Sequence, residues 1–230
     1  MNQDATPPGE EKNQPFRVKD CSLVGISTGL RSQNLREFRE ALQSVPEGSI
    51  YHHFWGRFLE PHFDEPEYNN DFAAWAFHCL HEKSLAERLA VVNPTDHPDI
   101  ESLRREVLDI VEERLDELEF VPWAMREDLF HFTRSQLLVF DTGRCLSNPE
   151  DLPKAVSEMS PGSVFYHFID ARRRTDDRID DFSAWLSDFK DRHADLTRQL
   201  SAIDPYFSSL KELKEALALI FSNYFGVTGQ

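Results

Sequence analysis

Cysteine is nearly absent: Cys21, Cys79 and Cys145 are all that 230 residues contain, odd in number and far apart. That excludes a disulfide framework and fits a reducing compartment. No apolar run approaches the ~20 residues that a bilayer-spanning helix needs. The opening MNQDATPPGEEKNQP has no basic or apolar segment, so residues 1–15 read as a disordered tail rather than a secretion signal. Basic side chains are short, 25 against 41 acidic ones, for a net charge of −16. Such a surface repels phosphate backbones and anionic lipid, so the expectation is no nucleic acid and no membrane as partner. Gly-rich phosphate loops, GxSxG, HExxH, CxxC and His-x-His are all missing. No cofactor is indicated, and the expected location is cytoplasmic.

What is present is a core and a repeat. Forty per cent of residues are hydrophobic and 18 are Phe, enough to build a real interior. FRVKDCSLVGISTG, from Phe16, lies over FHFTRSQLLVFDTG, from Phe130, matching Leu23 to Leu137 and Thr28-Gly29 to Thr142-Gly143. In the same register Asn34 meets Asn148, Gly48 meets Gly162, and His53-Phe54 meets His167-Phe168. After a short deletion, DFAAW from Asp71 lies over DFSAW from Asp181, and VVNP over AIDP. The expected organisation is repeat copy one over residues 16–118, a linker over 119–129, and repeat copy two over 130–226.

Each copy predicts one short strand ended by a Thr-Gly turn, then about five helices. Asn34 and Asn148 read as N-caps, Gly48 and Gly162 as chain reversals after a helix, and Ser49 and Ser163 as caps of the next. Helices are predicted to start near Asn70, near Ser84 with a Ser84–Glu87 capping box, and near Pro98, the last running to about Leu118. A lone strand needs a partner. The fold class is therefore mostly α, an α+β protein with a small sheet. Its two homologous halves are expected to pair strands, or to pack face to face, about a pseudo-twofold axis.

Ile50, His53 and Phe54 share one helical face, as do Val164, His167 and Phe168. The favoured expectation is a pair of core histidines, hydrogen-bonded to Asp71 and Asp181 or to a backbone carbonyl, because an unpaired buried ring nitrogen costs roughly 1–3 kcal/mol. Copy one carries six histidines, including His62, and the oxygen-rich stretch EPHFDEPEYNND. Candidate catalytic residues are His53, His62 and Asp71, since imidazole beside carboxylate can move protons. Candidate metal ligands are His53, His62, Glu67 and Asp71. Candidate ligand-binding residues are Tyr51, His52, Glu67, Tyr68, Asn70 and Trp75. His78 and His81 read as a polar helix edge, and Trp75 and Trp185 as core anchors. ARRRTDDR, around Arg172–Arg178, could grip a phosphate or carboxylate, but neutralisation by Asp176 and Asp177 is the favoured reading.

GSIYHHF, EPEYNNDFAAW and LAERLAVVNP together resemble an uncharacterised prokaryotic family of domains of unknown function with the pattern GSIYYH…EYPNDFARW…LAERLAAIDP. The resemblance spans about residues 20–117 and is faint in copy two. Tyr51-His52-His53 stands where the pattern has Tyr-Tyr-His, and Tyr68-Asn69-Asn70-Asp71 where it has Tyr-Pro-Asn-Asp. The resemblance implies a bacterial or archaeal cytoplasmic protein and supplies no catalytic residues. The reading is a non-enzymatic interaction or regulatory module, meeting a protein partner or forming a homo-oligomer. The alternative is a metal- or histidine-dependent enzyme acting on a small substrate in copy one.

Overall fold

In the computed structural model the chain is mostly helical around one two-stranded antiparallel sheet. Residues 14–59, 67–175, 177–190, 192–206 and 209–226 are described; most of the N-terminal tail, His62 with its neighbours, and Asp176 lie outside the described residues. Strand β1 (Phe16–Ser32) pairs with β2 (Phe130–Leu146), Phe16 lying opposite Leu146 and Ser32 opposite Phe130. Among the described residues no helix is long and apolar enough to cross a membrane.

The strands are longer than expected because Thr-Gly does not end them. Gly29 and Gly143 have φ of 80° and 73°, and the ladder shifts register at those points, between Ser27 and Arg31 and opposite Val18–Lys19. At each point the strand that carries the left-handed glycine holds two more residues than its partner, and pairing then resumes. Each preceding threonine ties the bulge down: Thr28 Oγ1 donates to the carbonyl of Phe132, and Thr142 Oγ1 to that of Val18.

After β1 come α1 (Leu35–Ser44), α2 (Glu47–Trp55), α3 (Asp71–His78), α4 (Lys83–Ala90) and α5 (Ile100–Glu117). After β2 come α6 (Leu152–Glu158), α7 (Pro161–Val164), a π-helical turn (Phe165–Asp170), α8 (Ala171–Arg174), α9 (Asp181–Ser187), α10 (Ala194–Ser201) and α11 (Leu210–Phe225). The cap expected at Asn34 is present, and α3 and α5 start close to the expected Asn70 and Pro98. Asn34 accepts from Arg36 N and Glu37 N, and Asn70 from Ala73 N. Asp99 and Ser102 form a capping box at α5, as do Ser209 and Glu212 at α11; each such cap is worth about 1 kcal/mol.

Others differ. The side chain of Asn148 makes no cap bond, and α4 starts after Glu82 without a Ser84–Glu87 box. Gly48 and Gly162 do not reverse the chain; they lie inside the first turns of α2 and α7, which start after Pro46 and Ser160. Their lack of a Cβ serves close approach to the ribbon instead. A Cβ on Gly162 would sit 2.3 Å from Cys21 O, and one on Gly48 3.3 Å from Ser135 O. Ser49, freed from capping, donates its hydroxyl to Thr133 O at 2.9 Å.

The two strands exchange their ends. Phe130 and Phe132, from β2, pack with Phe38, Phe72 and Trp75 of the N-terminal helices at ring separations of 5.2–5.5 Å. Phe16, from β1, packs with Phe182 and Trp185 of α9 at 5.2 and 5.4 Å. Burying each such ring stabilises by roughly 1.5–3 kcal/mol, so each helical layer depends on the strand from the other end of the sequence.

Candidate functional site

His53, 3% exposed, lies on the buried face of α2. The backbone N–H of Thr133 donates to its Nε2 at 3.2 Å, and Nδ1 lies 2.9 Å from Asp71 Oδ2. A backbone N–H can only donate, so Nε2 is the acceptor and the ring hydrogen sits on Nδ1, facing the carboxylate. His167 is held alike: Lys19 N donates to Nε2 at 2.8 Å, and Nδ1 meets Asp181 Oδ2 at 2.7 Å. Both imidazoles therefore join a helix to a strand amide. The expected carboxylate partners are present; the other partner is an amide hydrogen rather than a carbonyl.

The remaining candidates scatter. Asn70 is buried, donating to Leu89 O while capping α3. Trp75 donates its indole N–H to Asp128 O. Glu67 faces His78 at 3.6 Å on an exposed edge, and half-buried Tyr68 packs against Phe77. His62 lies outside the described residues. Of the four candidate metal ligands, His53 and Asp71 come together, joined by His52, with one ligand atom from each within 4.8 Å of the others. His52 Nδ1 is 2.7 Å from Ser135 Oγ, and burial, then His53, lowers its pKa below the ordinary histidine value. The Nε2 lone pair of His53, which a metal would need, already accepts the Thr133 N–H.

Tyr51 points elsewhere, to buried Asp170. That carboxylate is 1% exposed and takes the Tyr51 hydroxyl at 3.0 Å, Arg173 Nη2 at 3.0 Å and Arg174 Nε at 2.9 Å. Beside it opens a cavity of about 320 Å³ between α2, the N-terminus of α5 and the 169–178 segment, lined by Tyr51, Trp55, Asp170, Arg172, Arg173 and Arg178. The rings of Tyr51 and Trp55 stack at 5.3 Å, and the Arg173 guanidinium covers Tyr51 at 4.9 Å. Arg178 Nη2 donates to the carbonyls of Thr95 and His97. The arginines of ARRRTDDR thus find partners distant in sequence or one helical turn away, rather than Asp177. Asp170 went unnoticed in the sequence, although its spacing to Arg173 and Arg174, three and four residues on, is that of helical ion pairs.

Three buried acids are held neutral here. The Cys21 thiol, which donates to Gly162 O at 3.2 Å, is pushed up to about 12 by burial, with Asp170 and Asp20 adding to it. Burial also drives the Tyr51 and Tyr206 phenols well above their ordinary values. An unfolded chain releases these protons at ordinary values, so above about pH 9 the folded state binds more protons than the unfolded one. Their contribution to stability is complete below pH 9 and is lost as pH rises further. The urea midpoint should fall between pH 8 and pH 11, and Tyr206→Phe should flatten that fall; a midpoint flat with pH would contradict it.

Comparison with family models places residues 13–222 in a match described as "Family of unknown function (DUF5752)". Among solved structures, one described as the structure of OrfY from Thermoproteus tenax is similar, with a TM-score of 0.77 and 27% identity, covering 93% of this chain and 97% of that one. No curated protein matches.

Proposed function

The chain belongs to the family of unknown function DUF5752, and on that premise we propose that it is a non-enzymatic interaction module whose docking element is the 119–129 segment. The observation that carries this reading is an apolar segment held rigidly in the open. Phe120, Trp123 and Met125 are 85%, 65% and 65% exposed. Their backbone is nevertheless pinned: Ala124 N donates to Gln33 O at 2.8 Å, Gln33 Nε2 returns a bond to Ala124 O, and Asp128 O takes the Trp75 indole. Aromatic side chains presented without an ordering cost are what interface anchors require.

Exposed Glu119 and Glu127 frame the apolar side chains, with exposed Arg126 beside them, while Glu117 is paired with Arg88 and Arg114. On a chain of charge −16 that frame disfavours a second copy and suits a protein partner with an apolar pocket and a basic rim. The use of His53 and His167 as structural braces supports the non-catalytic reading over the alternative, a metal- or histidine-dependent enzyme. Three unpaired cysteines support a reducing, cytoplasmic setting, and the prokaryotic assignment rests on the family resemblance.

The module is also read as two homologous halves, 16–118 and 130–226, related by a pseudo-twofold axis. Matching contacts support this: His53 with Asp71 and a strand amide against His167 with Asp181 and a strand amide, and Trp75 to Asp128 O against Trp185 to Gln14 O. The test is a chain carrying Phe120→Asp and Trp123→Asp. Circular dichroism should be unchanged, and a partner captured from source-cell lysate by the wild type should be lost by the variant and released by high salt. Capture indifferent to both substitutions, or a stable homodimer dissolved by them, would refute the proposed partner.

A further inference from the structure

We propose that the cavity beside Asp170 is a binding site for a small organic phosphate. The chain is strongly acidic, yet three guanidinium groups, Arg172, Arg173 and Arg178, line this one hollow. The two lining carboxylates are engaged: Asp170 by Tyr51, Arg173 and Arg174, and Asp99 by the backbone amide of Ser102 within its own capping box. The arginines keep donors in reserve. Arg178 uses only Nη2 toward Thr95 and His97, and Arg173 uses Nε and Nη2 toward Asp170, so among the described residues each leaves Nη1 without a partner. Several planar forks converging on one space suit tetrahedral, multiply charged oxygens better than a single carboxylate.

Two further features point the same way. Pro98, Asp99 and Ile100, the start of the 18-residue α5, form part of the wall, so the positive end of a long helix faces the hollow. Burial lowers the pKa of the Arg172 guanidinium below the ordinary arginine value, against the pull of Asp180 and Asp204, and its bonds to Leu200 O and Ile203 O are long at 3.4 Å. An anion in the cavity would relieve that desolvation. The rest of the wall is mostly apolar, Tyr51, Trp55, Ile169 and prolines with Thr95 and His97 beside them, which asks for a compact apolar or ring-shaped body on the phosphate. A volume of about 320 Å³ lies at the small end of the roughly 300–1,000 Å³ of small-molecule sites.

Titration calorimetry on the full chain tests this with phenyl phosphate, inorganic phosphate and benzoate, at ionic strength held constant by NaCl so that screening is equal. Phenyl phosphate should bind and raise Tm, at least tenfold more tightly than either comparison ligand. Arg178→Gln should weaken it at least tenfold. Because Arg178 also ties down Thr95 and His97, Arg173→Gln, on a half-exposed side chain, provides a second measure with the same expected loss. No heat and no Tm shift with about 10 mM phenyl phosphate, a millimolar site being the weakest worth the name, would overturn the proposal. So would equal affinity for benzoate, or undiminished binding by Arg173→Gln with its fold intact.

Discussion

Replacing His167 with Ala should lower the unfolding free energy by about 3 kcal/mol, since it leaves a half-buried strand amide without its acceptor and removes a ring from the core. The amide is Lys19 N, which loses the imidazole acceptor it has at 2.8 Å, and Asp181 loses the imidazole while retaining its bond to Arg174. The ring itself packs on Phe16 at 4.8 Å and Phe182 at 5.8 Å. His53→Ala removes the matching brace, but the bond it loses, from Thr133 N, is longer at 3.2 Å, so a smaller cost of about 2 kcal/mol is expected. His167→Gln, which can offer an oxygen to Lys19 N, should recover part of the loss. Urea unfolding at pH 7.5 reads all three. If His167→Ala unfolds at the wild-type midpoint, the imidazole is not what holds β1 to the π-helical turn.

Gly162→Ala is the second large effect, and it is sharpest beside Gly48→Ala. At Gly162 an added methyl would lie 2.3 Å from both Cys21 O and Asp20 Oδ1. The carboxylate can rotate away, but the carbonyl belongs to a paired strand and cannot. The first turn of α7 must lift from β1, stretching the bond from Cys21 Sγ to Gly162 O. A cost of about 3 kcal/mol or more is expected, the upper range for forced overpacking. At Gly48 the closest atom, Ser135 O, is 3.3 Å away. There the strand need shift only slightly, and alanine's better helical propensity offsets up to about 1 kcal/mol, so the net change should stay within about 1 kcal/mol of zero. Equal effects at the two glycines would mean that neither is present for close approach.

The sequence disclosed this architecture unevenly. Asn34 caps α1 as read, and α3 starts beside Asn70 as expected, because a capping bond is settled within four residues. The histidine–carboxylate pairs were legible too, since one helical face put His53 and His167 inside and an acid stood at the head of the next helix. Thr28-Gly29 and Thr142-Gly143 misled because a bulge and a turn use the same residues, and only the partner strand distinguishes them. Gly48 and Gly162 were placed correctly as special positions but for the wrong reason: the strand they lie against is distant in sequence. The arginine-lined cavity was hidden for the same cause. Its walls come from α2, the start of α5 and the 169–178 segment, and no local pattern reports that they meet.

The exchanged strand ends govern the order in which the molecule can be completed. During synthesis the N-terminal helices leave the ribosome well before Phe130, Phe132 and the Thr133 amide that complete their interior. Until then His53 has no amide to accept from and a share of Phe38, Phe72 and Trp75 faces water. The nascent chain must wait, partly formed, for a strand made more than a hundred residues after β1 begins. Contacts that distant in sequence make for slow folding and a vulnerable intermediate, so the first half is a natural client for chaperones while the second is still being translated.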